Sequence, residues 1–358
     1  MRIANALGLG DELFCKMMVK TKMFGMVAVL GHSAEIRYEK FLRSKNIEFE
    51  KASNDEHFDY TVKGKRNQVK RFETGRTTLD KLVANLTKTH GNRSGGGTGD
   101  VYFKTDFDNL VILDFDGSFH TVKVDDITEH RRRPNQLSGS HTIHRDISPT
   151  PFQKDFLYAL KEKNEKFPPA IEILKEKYNI TTYSELWQKI SNLTLEETDS
   201  LFSVENFRLI TAAKGFAAEE HFNMFLEQNE IEYEQNIGMY AKSDHIVNGV
   251  GFQVKTTYPN GTTRSHWAFK THKSHGHGET ELYKNDAFDM VAVFVGYEPQ
   301  EKAALENLED RYTPTSTTTS FIFIPITDLD DHPNHPGHLK RVSKVPKDRY
   351  TINDTSIF

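Results

Sequence analysis

Asp59-Tyr-Thr-Val-Lys-Gly-Lys-Arg-Asn-Gln68-Val69-Lys70 recurs 185 residues later as Asp244-His-Ile-Val-Asn-Gly-Val-Gly-Phe-Gln253-Val254-Lys255. Each stretch reads Asp, eight residues, then Gln-Val-Lys. One such stretch is an ordinary strand with polar residues; two inside longer matched segments indicate a duplicated unit. Upstream, Gly31, Ala34, Glu35, Phe41, Leu42, Ile47, Glu48 and Glu50 repeat as Gly215, Ala218, Glu219, Phe225, Leu226, Ile231, Glu232 and Glu234. That segment keeps a spacing of 184 residues, so the second copy gains one residue before Asp244. Downstream, Phe107-Asp108-Asn109-Leu110-Val111 matches Phe288-Asp289-Met290-Val291 less closely. A period this long is domain-sized, which points to two domains and not to a solenoid.

The chain of 358 residues has room for two cores, and 25 Phe and 13 Tyr supply the apolar bulk. A net charge of −5 does not advertise nucleic acid, so DNA binding has to come from local basic patches. A single cysteine, Cys15, excludes an intrachain disulfide framework and a Cys-rich zinc site, and suits a reducing cytoplasm. The apolar run from Met23 to Gly31 is too short to span a bilayer, and no signal peptide is visible, so no membrane partner is expected.

Patterning predicts an α/β fold: two cores, each a mixed β-sheet flanked by helices, joined by a helical connecting segment. The first core is expected over 1–126, a basic linker over 127–151 and a helical connector over 152–213. The second core follows over 214–330, with a basic tail over 331–358. Residues 11–30 have helical spacing, and a helix over 33–45 would be capped by Ser33. Strands are expected at 47–50, 58–62, 67–72, 101–103 and 110–113, with Lys63-Gly64-Lys65-Arg66 as a hairpin turn. Leu79, Leu82, Val83 and Leu86 predict a helix over 79–89. The second copy repeats the order, with a helix at 217–229, a hairpin at Asn248-Gly249, and strands at 231–234, 252–257 and 289–296. Phe167-Pro168-Pro169 breaks the connector's helices.

Alternation along a strand puts Gln68 beside Lys70 and Gln253 beside Lys255, with Val69 and Val254 facing the core. A hairpin then brings Asp59, or Asp244, alongside. A carboxylate, an amide oxygen and a neighbouring Glu make an oxygen-rich site suited to a hard divalent cation such as Mg2+, with Mn2+ substituting.

These residues resemble the PD-(D/E)xK nuclease superfamily, over roughly 31–113 and 215–296. Gln stands where that family usually has a second carboxylate, and neither Asp follows a Pro. The resemblance implies catalytic roles for Glu35, Asp59, Gln68 and Lys70, and for Glu219, Asp244, Gln253 and Lys255. It implies metal ligation by Glu35, Asp59, Gln68 and Val69, and by Glu219, Asp244, Gln253 and Val254. The metal would polarise phosphate and activate water, and the lysine would stabilise developing charge. Basic loops after each motif supply candidate contacts to double-stranded DNA: Arg71, Arg76 and Arg93 in the first copy, and Arg264, His266, Lys270 and Lys273 in the second. The groups His272/His275/His277 and His332/His335/His338 have unspecific spacing for zinc.

The expected activity is a metal-dependent endonuclease making double-strand breaks with two active sites, acting as a monomeric pseudo-dimer and closest to a type II restriction endonuclease. A homing or mobile-element endonuclease, a structure-specific repair nuclease and a non-catalytic DNA-binding scaffold are the alternatives. Retention of both lysines speaks against the last. Asp108 and Asp289, at strand starts, read as structural caps.

Overall fold

The structure is a computed structural model; it describes residues 1–53, 56–86, 102–146, 148–203, 206–236, 243–257, 261–271, 282–296 and 319–358. The chain forms two compact units, Met18–Leu201 and Met1–Met17 with Phe202–Phe358. In chain order, α1 (Arg2–Ala6) and α2 (Gly10–Lys20) precede a π-helical stretch (Lys22–Val29) and α3 (Leu30–Ser44). The first unit continues with β1 (Phe49–Lys51), β2 (Tyr60–Val62), β3 (Lys65–Arg71), β4 (Lys81–Asn85), β5 (Asn109–Leu113), β6 (Phe119–Lys123) and β7 (Ser140–His144). Helices α4 (Pro151–Ala159), α5 (Phe167–Lys177), α6 (Tyr183–Ser191) and α7 (Leu195–Ser200) complete it.

The second unit has α8 (Phe207–Gln228), β8 (Tyr233–Gln235), β9 (His245–Val247), β10 (Val250–Thr256), β11 (His266–Lys270), β12 (Met290–Phe294) and β13 (Phe321–Pro325). Three further strands follow: β14 (Asp331–His332), β15 (His335–Leu339) and β16 (Val342–Pro346). Residues Met1–Met17 belong to this unit because His221 Nε2 hydrogen-bonds the Leu7 carbonyl at 2.7 Å and Phe14 packs edge-on to Phe202 at 5.4 Å.

Each unit holds a five-stranded mixed sheet, in the orders β1-β2-β3-β5-β6 and β8-β9-β10-β12-β13. β3 runs parallel to β5, and β10 to β12; the other pairs are antiparallel. The hairpins turn where the motif demands it. Lys63 and Gly64 have φ of 50° and 71°, and Asn248 and Gly249 have 51° and 79°. Two successive left-handed residues make the two-residue turn whose twist suits a hairpin, and Asn-Gly adopts it with less strain than Lys-Gly. Val69 packs with Ala34, Tyr38, Leu42, Tyr60 and Val111, so α3 covers the sheet there. Burying Val69 or its counterpart Val254 contributes about 1.5–3 kcal/mol.

Hydrogen bonds extend the duplication beyond the motif. Leu137 N donates to the Tyr102 carbonyl at 2.8 Å, and Leu339 N to the Tyr283 carbonyl at 2.9 Å. β4 pairs with β7 as β11 pairs with β16. Thr77 and Thr262 occupy equal places: each Oγ1 accepts from Val83 N or Ala268 N, at 3.2 and 3.1 Å. The stretches expected as a basic linker and a basic tail therefore both carry a strand, β7 and β16, that pairs back into its own unit.

Two local expectations are corrected. Of the helix expected over 79–89, Lys81–Asn85 forms strand β4 instead, and residues 87–89 lie outside the described residues. Leu82, Val83, Ala84 and Leu86 are all buried, so the segment is apolar on both faces and its periodicity does not separate strand from helix. Ser33 does not cap a helix. It lies inside α3, and its hydroxyl donates to the Leu30 carbonyl at 2.7 Å, because the chain is already helical from Lys22. The 11–30 stretch is an α-helix followed by a π-helical stretch. At Gly25 any Cβ would collide with the Met18 carbonyl, so only glycine fits. No described helix is long and apolar enough to cross a membrane.

Candidate active site

In the first unit Asp59 directly precedes β2, and its Oδ2 is held from two sides. The Gln68 amide Nε2 donates to it, and so does the Val69 backbone N–H, at 2.6 Å. In the second unit Gln253 Nε2 donates to Asp244 Oδ2, and Val254 N–H does so at 2.8 Å. The hairpin register causes this. Asp59 N donates to the Asn67 carbonyl at 3.0 Å and Asp244 N to the Phe252 carbonyl at 2.8 Å, so each Asp stands opposite the residue before the Gln. Gln68 and Gln253 are buried at 4% and 5% exposure, and Val69 and Val254 point into the core as the alternation requires. A valine at this place offers a cation only its carbonyl; that of Val69 accepts from Gln68 Nε2 at 3.2 Å.

Helix α3 adds Glu35, and α8 adds Glu219. Burial, reinforced by the Asp59 charge, pushes the Glu35 carboxyl up to about 7. Burial and the Asp244 charge raise Glu219 well above the carboxylate range. Asp59 and Asp244 are themselves raised by burial, against the pull of Lys70 and Lys255. Two crowded carboxylates faced by one lysine leave negative charge uncompensated, and a bound cation would relieve it.

Both lysines rest on an aromatic ring that sequence reasoning did not single out. Lys70 Nζ lies 5.1 Å from the Tyr102 ring centroid, and Lys255 Nζ 5.4 Å from that of Tyr283. Burial acts to lower the Lys70 ammonium, but Tyr102, Asp59 and Glu35 outweigh it and the net shift is upward. The signal was present in the sequence: a Tyr five residues before Phe107 and again five before Phe288. It was hidden because the spacing between copies falls from 185 to 181 residues across the intervening loop.

Asp108 and Asp289 form equal reciprocal clasps. Asp108 Oδ2 accepts from Arg66 N at 2.8 Å, while Asp108 N donates to the Arg66 carbonyl at 2.9 Å. Asp289 does the same with Gly251, at 2.7 and 2.9 Å. These bonds set the start of the parallel pairing, which is structural work.

The basic residues are scattered. Arg71 donates to the Met26 carbonyl and stacks on Phe72 at 4.3 Å, inside its unit. Arg76 is exposed and pairs with Glu73. Arg264 and Lys270 are exposed, and His266 is half-buried at the start of β11. Arg93, Lys273 and the group His272/His275/His277 lie outside the described residues. His332, His335 and His338 lie on β14 and β15, and among the described residues no group of three or more His, Cys, Asp or Glu is arranged to hold a metal ion. Each motif site instead offers two carboxylates with an amide and a carbonyl, a donor set that fits a hard divalent cation completed by water and phosphate.

No family model matches the sequence, and no curated protein matches it. Among solved structures the chain is similar to a bacterial homing endonuclease, at 18% identity and a TM-score of 0.27; the match covers 44% of this chain and 98% of that one.

Proposed function

We propose that this chain is a metal-dependent endonuclease that breaks both strands of DNA, restriction-endonuclease-like, with one hydrolytic site in each unit. The observation that carries the reading is the second building of one constellation. In both units an Asp oxygen is pinned by Gln and the next backbone N–H, a Glu comes from the covering helix, and a Lys two residues on rests on a Tyr. A merely structural Asp–Gln contact gives no reason to keep the lysine and its tyrosine twice.

Glu35, Asp59, the Gln68 amide oxygen and the Val69 carbonyl would hold Mg2+ or Mn2+, as would Glu219, Asp244, Gln253 and Val254 in the other unit. When bound, the cation supplies Lewis-acid polarisation of phosphate and a lowered pKa for water. The protein's own part is orientation and electrostatics. Gln68 and Gln253 keep one carboxylate oxygen fixed. Lys70 shares a sheet face with Gln68, and Lys255 shares one with Gln253 in the other unit, where a protonated amine stabilises negative charge building on the phosphoryl oxygens in the transition state. Two sites in one polypeptide serve the two strands without a second chain, and divergence of the units frees the target from palindromic symmetry.

Incubation of the protein with supercoiled plasmid tests this. Linear product is expected with Mg2+ or Mn2+ and none with excess chelator. Undiminished cutting in chelator removes the metal assignment, and no cutting under any divalent cation removes the nuclease reading.

A further inference from the structure

At the start of β3 the first unit clasps one of its own arginines. Arg66 Nη2 donates to Asp108 Oδ1 at 3.1 Å, and Nη1 donates to the Thr105 carbonyl at 2.8 Å. The Phe58 ring lies 6.0 Å from the guanidinium carbon. In the second unit the equivalent strand start has Gly251 for Arg66, Ser243 for Phe58 and Asp286 for Thr105, whereas Asp289 keeps the place of Asp108. All three changes act in one direction: they remove the cation, remove the bulk that packed on it, and add an acid. What remains is a cavity of about 430 Å³ lined by Ser243, Ile246, Gly251, Asp286, Phe288 and Asp289. That volume falls in the range of ligand pockets. Among the described residues neither Asp286 nor Asp289 takes part in an ion pair.

We infer that this cavity binds a guanidinium group presented from outside the unit, the side chain of an arginine on a second copy of this chain or on another polypeptide. The first unit shows the recognition chemistry on the same framework, with the Asp carboxylate meeting a planar fork of N–H donors. An ammonium is a point charge and does not match that fork. A metal ion fits less well, because Asp289 Oδ2 is already engaged by the Gly251 N–H and Ile246 and Phe288 make apolar walls suited to a side-chain stem. The inference does not depend on the nuclease reading.

The test is thermal unfolding and calorimetric titration of the full chain at low salt, with N-ethylguanidinium as the probe and n-butylammonium and Mg2+ as controls. Binding near millimolar is expected, raising the unfolding midpoint by about 3 °C at ten times the dissociation constant. D289N keeps an oxygen for the Gly251 N–H but loses the charge, and should lose the response. G251R should lose it too, since its own side chain fills the cavity, and should unfold at a higher temperature. At Gly251 a new Cβ would meet Asp289 Oδ2 and Ser243 Oγ at 3.3 Å, a tight fit but one that the Arg66 backbone already accommodates in the first unit. Should D289N not fold, S243F, which refills the cavity from the other wall, takes its place. Sedimentation of wild type and G251R separates the sources. Self-association lost in G251R points to a second copy, and a monomer at all concentrations points to another protein's arginine. No response to N-ethylguanidinium, an equal response to n-butylammonium, or an undiminished response in D289N or S243F overturns the inference.

Discussion

His245→Phe should flatten the acid side of the second unit's stability curve. His245 is fully buried; its Nε2 meets Asn223 Oδ1 at 2.6 Å, and its Nδ1 has no partner among the described residues. Protonation would place a second N–H and a charge in the core without an acceptor, so burial holds the imidazole down at about 4. In the unfolded chain the same ring titrates near 6.5. Below that pH the unfolded state binds the proton and the folded state does not, so stability falls as pH drops from about 6.5 and levels off near the folded value. Between about pH 7 and about pH 4.5 this single group costs about 2.5 kcal/mol. Phenylalanine keeps the ring contacts with Phe222 and Tyr233. It leaves the Asn223 oxygen unpaired at about 1–3 kcal/mol, a cost that does not vary with pH. The raised carboxyls of Asp244 and Glu219 are common to both proteins and cancel in the difference. Trp187 belongs to the first unit and Trp267 to the second, so a W187F background makes Trp267 fluorescence report the second unit alone. Urea titrations across the pH range should show the gap between wild type and variant closing, or reversing, by about 2.5 kcal/mol on acidification. A gap constant to within about 0.5 kcal/mol would refute the burial argument.

Lys70→Ala should lower cutting of one strand about 10²–10³-fold, so that plasmid is nicked and not linearised. Lys255→Ala should nick the opposite strand, and the double variant should bind DNA and cut neither; strand-specific end labelling checks this, and a single variant that still linearises plasmid defeats the two-site reading. Tyr102→Leu and Tyr283→Leu should each slow one strand's cleavage about tenfold without weakening DNA binding. Phe at the same positions should restore only part of the rate, because the ring face under the ammonium is kept while the hydrogen bond between the Tyr102 hydroxyl and Lys70 is lost. Arg264→Ala, Arg93→Ala and Lys273→Ala should each reduce the salt dependence of DNA binding by about one unit of slope. Arg76→Ala should change it less, since Glu73 already pairs with that guanidinium.

The sequence by itself determined that there are two α/β cores and where their polar clusters lie. Both conclusions rest on local geometry. Period-two alternation decides which of Gln68, Val69 and Lys70 face together. Two left-handed residues at Lys63-Gly64 and Asn248-Gly249 fold the hairpin that brings the Asp across. Pairing across sequence distance was decided elsewhere. Residues 81–85 became a strand because 140–144 offered an antiparallel partner, and 342–346 did the same for 266–270. Neither pairing leaves a mark in a local window, because the apolar runs are buried on both faces. Tyr102 and Tyr283 reached the lysines only through the crossover that makes β3–β5 and β10–β12 parallel, beyond loops whose lengths differ between the copies. Arg71 and Arg66 carry the same charge in the sequence. Only packing sends one to the Met26 carbonyl and the other to Asp108, since a guanidinium goes to whatever acceptor the fold presents within its reach.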